Sequence, residues 1–137
     1  MHLYETSIKL YHTDAAGLLF FSRLFEIAYD AYQDLLEKSR LSLSEILKNE
    51  PFLTPVVHAE ADYRIPLEAG DRIQVKITVE NIGRSSCTLL YDIVKNNQIA
   101  GKVKTVLVSI DKRFGEKTSI PERLKEILIP HLKDESY

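Results

Sequence analysis

The chain has few of the residues that build several common kinds of functional site. Among its 137 residues it has one cysteine, Cys87, and no tryptophan. A single cysteine excludes an intramolecular disulfide, and no Cys and His residues are spaced as zinc ligands. The alternating apolar residues around Cys87 predict a buried free thiol, which a reducing cytoplasm permits but does not require.

Neither charge nor hydrophobicity is concentrated along the chain. The formal net charge is −2, with 28% charged residues of both signs, which argues against nucleic-acid and membrane partners. The apolar runs are too short to span a bilayer, and the first residues lack the pattern of a signal peptide. Length and composition fit one soluble globular domain over residues 1–137, which we expect to be cytoplasmic.

Two catalytic motifs are also missing. The chain has no Gly-x-Ser-x-Gly sequence, so a serine hydrolase of the α/β type is unsupported. It has no Gly-x-x-x-x-Gly-Lys loop that would bind phosphates. Any chemistry must therefore come from other side chains.

Hydrophobic periodicity predicts one strand, a long helix and then further strands. Residues 3 to 11 alternate as a half-buried strand does, and residues 12 to 21 break the alternation as a loop. A broad apolar stripe at helical spacing follows over residues 21 to 38. Ser42 and Glu45 have capping-box spacing at the start of a short second helix.

Four alternating segments between residues 57 and 110 predict the remaining strands, with a turn at Asn96-Asn97. Ser119 and Glu122, again in capping-box spacing, predict a short C-terminal helix. A long apolar helix followed by an antiparallel meander must bury that helix against the sheet. We therefore predict an α+β fold in which a curved antiparallel sheet of about five strands wraps around one long central helix.

The segment from Tyr11 to Phe21 joins the first strand to the N-terminus of the long helix. Helix N-termini present free N–H groups, which polarise a carbonyl and stabilise the oxyanion formed when it is attacked. Gly17 has no side chain and lets a ligand approach the backbone closely. Asp14 lies just upstream, where a carboxylate can act as a nucleophile or as a general base toward water. From residue type and position alone, such an Asp is more often an ordinary turn or capping residue.

This segment resembles the N-terminal motif of the 4-hydroxybenzoyl-CoA thioesterase family, in which an Asp-x-x-Gly loop enters the central helix. The resemblance extends over most of the chain and includes Val56-Val57-His58-Ala59, Asp62-Tyr63-Arg64-Ile65-Pro66, Gly70-Asp71 and Gly83-Arg84-Ser85-Ser86. It implies a hotdog fold, assembly as a homodimer or homotetramer with active sites at the subunit interface, and thioester hydrolysis without a metal or cofactor. The Asp-Ala-Ala-Gly core, the following aromatic pair and Val-Val-His-Ala are most similar to 1,4-dihydroxy-2-naphthoyl-CoA thioesterases.

The resemblance also assigns roles to single residues. Asp14 matches the catalytic aspartate of the family, and Phe21 matches the position whose backbone N–H faces the thioester oxygen. Many members carry histidine at that position, so a mechanism that needs an imidazole there is not supported. The backbone role is retained because it needs no particular side chain.

Two groups of residues are candidates for binding CoA. Arg84, Ser85 and Ser86 follow a glycine and are either the start of a strand or a contact for the pantetheine arm or phosphates. Arg64 has the same two interpretations, on weaker grounds.

Other candidates lie near the predicted loop or on a strand. Phe20 and Phe21 either form an aromatic pocket or belong to the core, and Tyr11 is open to both interpretations. His58 lies on the polar side of its strand and is a surface residue or lines the site, with no role in proton transfer. His12 is interpreted as an ordinary loop histidine.

The leading hypothesis is an acyl-CoA thioesterase for an aromatic acyl group, with 1,4-dihydroxy-2-naphthoyl-CoA as the candidate substrate. A second is a thioesterase for acyl carrier protein or for short- and medium-chain acyl-CoA. Carrier recognition requires a basic patch, which the modest net charge disfavours. A third hypothesis is a catalytically silent hotdog domain that binds acyl-CoA. The presence of Asp14 and Gly17 disfavours this third hypothesis.

Overall fold

The computed structural model of the protein describes residues 1–133. In chain order its strands and α-helices are β1 (His2–Ser7), α1 (Arg23–Lys38), α2 (Leu43–Asn49), β2 (Phe52–Leu53), β3 (Val56–Tyr63), β4 (Arg72–Ile82), β5 (Ser86–Lys95), β6 (Gln98–Val108), β7 (Ile110–Asp111) and α3 (Glu122–Leu128). Short 3-10 turns occupy Leu10–His12 and Ile129–His131. Within residues 1–133, none of the helices has the length and apolar character that crossing a membrane would require.

Five strands form one antiparallel sheet in the order β1-β4-β5-β6-β3. The turn between β5 and β6 consists of Asn96 and Asn97, whose φ angles are 49° and 62°. Both residues therefore have a left-handed backbone conformation, which a two-residue hairpin turn requires to match the twist of its strands. The predicted five-stranded antiparallel sheet is confirmed, and β1 and β3 are its two edges.

The hydrophobic core lies between α1 and one face of this sheet. The buried residues of α1 recur at helical spacing and are Leu24, Ile27, Ala28, Ala31, Tyr32, Leu35 and Leu36. Alternate residues of the strands face them, including Val75, Ile77, Leu89, Tyr91, Ile93 and Val103. The broad apolar stripe predicted for the helix is confirmed. Cys87 is buried in the same core, and burial raises the pKa of its thiol to about 11, which favours the neutral thiol at neutral pH.

Two boundaries beside the predicted loop differ from the expectation. β1 ends at Ser7 rather than near residue 11, because the chain turns and the His12 imidazole Nδ1 accepts the Lys9 backbone N–H at 2.9 Å. α1 begins at Arg23 rather than at residue 21, since the Arg23 N–H donates to the Phe20 carbonyl in a preceding turn. The connection between β1 and α1 is therefore longer at both ends than the sequence indicates.

The two predicted capping boxes have different outcomes. Ser42 accepts the Glu45 backbone N–H at 3.1 Å, which confirms Ser42 as the N-cap of α2, while the Glu45 carboxylate accepts the Asn49 side-chain amide instead of completing the box. At α3 the N-cap is Pro121 and Ser119 lies outside the helix, so that prediction was wrong. The reason is that the chain before α3 is held away from helical geometry, since the Ile120 N–H donates to a carbonyl of the β4–β5 turn.

The last predicted strand is divided in two. β6 ends at Val108, and β7 pairs with β2 in a separate two-stranded sheet. Between them, Ser109 is buried and its N–H donates to the Ser85 carbonyl at 2.7 Å. Two-residue strands show no alternation, so this second sheet has no counterpart in the sequence-based prediction.

β3 is the least buried strand of the main sheet. Seven of its eight residues are exposed, and Ala61 is half-buried. The exposed residues include Val56, Val57 and Tyr63, which are 38%, 59% and 48% accessible. An edge strand with uncovered apolar residues is a template for pairing with another chain.

Candidate active site

Asp14 organises the loop between β1 and α1. Its exposed side chain accepts two backbone N–H groups through Oδ1, from Ala16 at 2.9 Å and from Leu18 at 3.3 Å. The Gly17 N–H donates to the Asp14 carbonyl at 3.0 Å, and Gly17 has a φ of 77°, a conformation that favours glycine. The second carboxylate oxygen, Oδ2, meets no donor within residues 1–133. One oxygen of Asp14 therefore acts as a turn acceptor, and the other is free for chemistry.

The backbone of Phe21 presents a free donor at the entrance of α1. Phe21 lies two residues before the first residue of α1, and within residues 1–133 its N–H meets no acceptor, whereas the preceding Phe20 N–H donates to the His12 carbonyl at 2.9 Å. The Phe21 carbonyl accepts the hydroxyl of Tyr63 from β3. The rings of Phe20 and Phe21 lie 5.0 Å apart and are both exposed. A group that gains negative charge would be stabilised at this N–H.

His12 anchors both ends of the loop. Its side chain is buried, its Nδ1 accepts the Lys9 N–H, and its carbonyl accepts the Phe20 N–H. Burial lowers the pKa of the imidazole, against the opposing effect of the Asp30 carboxylate, so the ring is neutral at pH 7. Tyr11 packs on it with ring centroids 4.5 Å apart and is itself exposed. The sequence gives one sign of this anchoring role of His12, which is its position two residues before Asp14.

A cavity of about 270 Å³ lies beside the Asp14 loop. It forms where the Leu19 N–H donates to the Leu67 carbonyl at 2.8 Å and brings the β3–β4 connection against the loop. Its lining includes the apolar residues Leu18, Leu24, Ile65 and Ala100 and the polar residues Tyr63 and Arg64. The size and apolar lining of the cavity suit an apolar acyl group. Among the predicted CoA contacts, Arg64 is the one that lines this cavity beside the Asp14 loop.

The segment Arg84–Ser86 lies at the opposite end of the sheet. Its last residue pairs with Val108 of β6, whereas Tyr63 pairs with Gly101, seven positions earlier on the same strand. At about 3.3 Å per residue, the two points are about 23 Å apart. A single chain therefore does not bring this segment to Asp14, and its role in CoA binding stays a prediction.

His58 lies on the outer face of β3, away from α1. It pairs with Val106, while the adjacent Thr105 faces the core and is buried. Its Nε2 is 3.1 Å from the Glu60 carboxylate, and its side chain is 56% exposed. The surface interpretation agrees with this position, and a role of His58 at the site stays a prediction.

Residues 8–128 match the protein family described as the thioesterase-like superfamily. The chain belongs to this family. Its architecture, with α1 packed on a five-stranded antiparallel sheet, is the hotdog thioesterase fold that the resemblance implied.

Several similar proteins carry the same printed function. The chain is 34% identical to a 1,4-dihydroxy-2-naphthoyl-CoA hydrolase from Microcystis aeruginosa, over 91% of each chain. It is 31% identical to a hydrolase of the same name from Rippkaea orientalis, over 93% of this chain and 95% of the other. The crystal structure of a 1,4-dihydroxy-2-naphthoyl-CoA thioesterase from Synechocystis superposes with a TM-score of 0.88 and 27% identity, covering 93% of this chain and 95% of the other.

Proposed function

We propose that the protein is an acyl-CoA thioesterase that hydrolyses an aromatic acyl-CoA, with 1,4-dihydroxy-2-naphthoyl-CoA as the candidate substrate. The observation that carries this proposal is the geometry of one loop. Asp14 offers a free carboxylate oxygen, and the Phe21 N–H offers a free donor in the turn that leads into α1. Thioester hydrolysis needs both a base or nucleophile and a donor for the oxyanion. The names of the similar proteins support the substrate class.

In the proposed reaction the thioester carbonyl oxygen accepts the Phe21 N–H. Asp14 then either attacks the carbonyl carbon, giving a mixed anhydride that water hydrolyses, or removes a proton from an attacking water. In both routes the carbon–sulfur bond breaks and the sulfur leaves as a thiolate that takes up a proton. The products are a carboxylic acid and free CoA. The exposed position of Asp14 is compatible with both routes.

The cavity beside the loop is the proposed site of the aromatic acyl group. Its walls are mainly apolar, and the exposed Phe20–Phe21 pair stands at the same loop. Stacking against such rings contributes on the order of 1 kcal/mol beyond the burial of apolar surface. We assign Arg64, at the cavity wall, to the CoA part of the substrate or to a polar group on the ring.

The proposed active unit is a homodimer formed through β3, or a homotetramer of two such dimers. Each chain contributes residues 1–137 as one domain with α1 as its central helix. A two-fold axis that pairs two β3 strands in antiparallel fashion places opposite ends of the two sheets side by side. The Arg84–Ser86 segment of one subunit then approaches the Asp14 loop of the other. This arrangement accounts for the separation of these two predicted site regions within one chain.

The proposal is tested by measuring thiol release from a panel of thioesters. The panel contains 1,4-dihydroxy-2-naphthoyl-CoA, benzoyl-CoA, acetyl-CoA, hexanoyl-CoA and palmitoyl-CoA, together with an acyl carrier protein thioester. We expect the largest kcat/KM for the aromatic acyl-CoA substrates. Faster release from the carrier protein would favour the second hypothesis, and binding of acyl-CoA without turnover would favour the silent domain.

A further inference from the structure

Tyr63 links the end of β3 to the entrance of α1. Its hydroxyl donates to the Phe21 carbonyl, across 42 positions of sequence. The carbonyls on either side, those of Phe20 and Ser22, accept backbone N–H groups of the first helical turn. Within residues 1–133 the Tyr63 hydroxyl is the only donor to the Phe21 carbonyl. This hydrogen bond therefore satisfies a carbonyl that the helix itself leaves open.

The side chain of Phe21 does little to fix its own backbone. It is 63% exposed, and the neighbouring Phe20 ring is 46% exposed. The N–H and the carbonyl of Phe21 belong to two rigid peptide groups joined by only two soft dihedral angles. The first peptide is held through the Phe20 carbonyl, which accepts the Arg23 N–H at 2.9 Å, and the second is held by Tyr63. Both tethers together determine where the Phe21 N–H points.

We propose that Tyr63 is a positioning residue for thioester hydrolysis. Its hydroxyl holds the Phe21 peptide so that the Phe21 N–H is aimed at the carbonyl oxygen of the bound thioester. Tyr63 also lines the cavity assigned to the acyl group, so this contact lies beside the reacting bond. The inference rests on the proposed function and adds a residue to it that neither attacks the thioester nor transfers a proton.

The test is Tyr63→Phe, which removes one oxygen atom and keeps the ring. Complete loss of an oxyanion donor lowers kcat by about 100- to 1000-fold, so loss of its alignment should lower kcat by about tenfold. KM should rise by no more than about fivefold, the scale of one hydrogen bond, because the bound thioester carbonyl accepts the same N–H before reaction. Tyr4→Phe is the matched control, because Tyr4 lies on β1 at the other edge of the sheet. It should leave kcat unchanged.

Binding of two analogues separates alignment of the N–H from a general disturbance of the site. S-phenacyl-CoA keeps a carbonyl near the sulfur, and S-(2-phenylethyl)-CoA has none. Tyr63→Phe should weaken binding of the first by about fivefold, the scale of one hydrogen bond, and leave the second unchanged. A kcat within twofold of the wild type, or equal weakening of both analogues, would overturn the inference. A wild-type protein that hydrolyses no acyl-CoA would instead refute the proposed function itself.

Discussion

Replacing Asp14 with asparagine separates the charge of this side chain from its role in the loop. The amide oxygen of asparagine can accept the same Ala16 and Leu18 N–H groups that the carboxylate Oδ1 accepts. Asparagine also serves as well as aspartate in turns. The change therefore removes only the negative charge and basicity at Oδ2. Because the side chain is exposed, the free energy of unfolding should change by less than about 0.5 kcal/mol.

The expected effect on catalysis is much larger. Loss of a general base or nucleophile should lower kcat by at least about 100-fold. That factor corresponds to about 2.7 kcal/mol of transition-state stabilisation. KM should change little, since the predicted CoA contacts lie elsewhere. The assay is thiol release at saturating aromatic acyl-CoA, with thermal unfolding followed by circular dichroism on the same samples.

Two further variants make the result decisive. Asp14→Ala also removes both hydrogen bonds of the loop. If Asp14 acted only in the turn, Asp14→Asn would keep normal kcat and stability, and Asp14→Ala would not. Asp111→Asn is the control, because Asp111 accepts the N–H groups of Phe114 and Glu116 in another loop, one through each carboxylate oxygen. It should not change kcat. A folded Asp14→Asn protein with near-normal turnover would refute the catalytic role and leave Asp14 as a turn residue.

Light scattering at micromolar concentration should give at least twice the 15.7 kDa mass of the chain. The change Val57→Lys on the exposed edge of β3 should reduce this measured mass. A monomeric wild-type protein would contradict an active site shared between two subunits. The value of kcat/KM for 1,4-dihydroxy-2-naphthoyl-CoA should exceed that for palmitoyl-CoA by about fivefold, from the stacking contribution, and the reverse order would exclude the aromatic preference. Burial lowers the pKa of His12 and His131 below 6.5, so the unfolded chain binds more protons in that range. Stability should therefore be greatest above pH 6.5 and fall as the pH decreases below it. The decrease in unfolding temperature should be smaller in His12→Asn, and an identical decrease would show that His12 does not contribute.

The elements with long, regular patterns could be predicted from the sequence. The stripe from Leu24 to Leu36 repeats over most of α1, and the alternation of β4, β5 and β6 continues over most of these strands of ten or eleven residues. The ends of β1 and α3 could not be predicted, because contacts outside the elements set them. The His12 imidazole stops the first strand, and hydrogen bonding of Ile120 displaces the helix start from Ser119.

The same distinction applies to the candidate site. Asp14 and Gly17 could be identified because their loop precedes a recognisable helix and matches a family motif. The contact between Tyr63 and Phe21 depends on the register of β3 against β6, which no local pattern reveals. The distance between Asp14 and the Arg84–Ser86 segment is also a property of register and not of sequence spacing.

The place of β3 in the sheet has a consequence for the order of folding. β3 precedes β4, β5 and β6 in the chain, yet its partner is β6, the last of the three. The hairpins of the meander close short loops, whereas pairing of β3 must close a loop that contains both β4 and β5, which is slower. We therefore expect the β3 edge, through which we propose that two subunits pair, to form last. During refolding, the strands should return at a rate independent of protein concentration, and thioesterase activity should follow at a rate that increases with it.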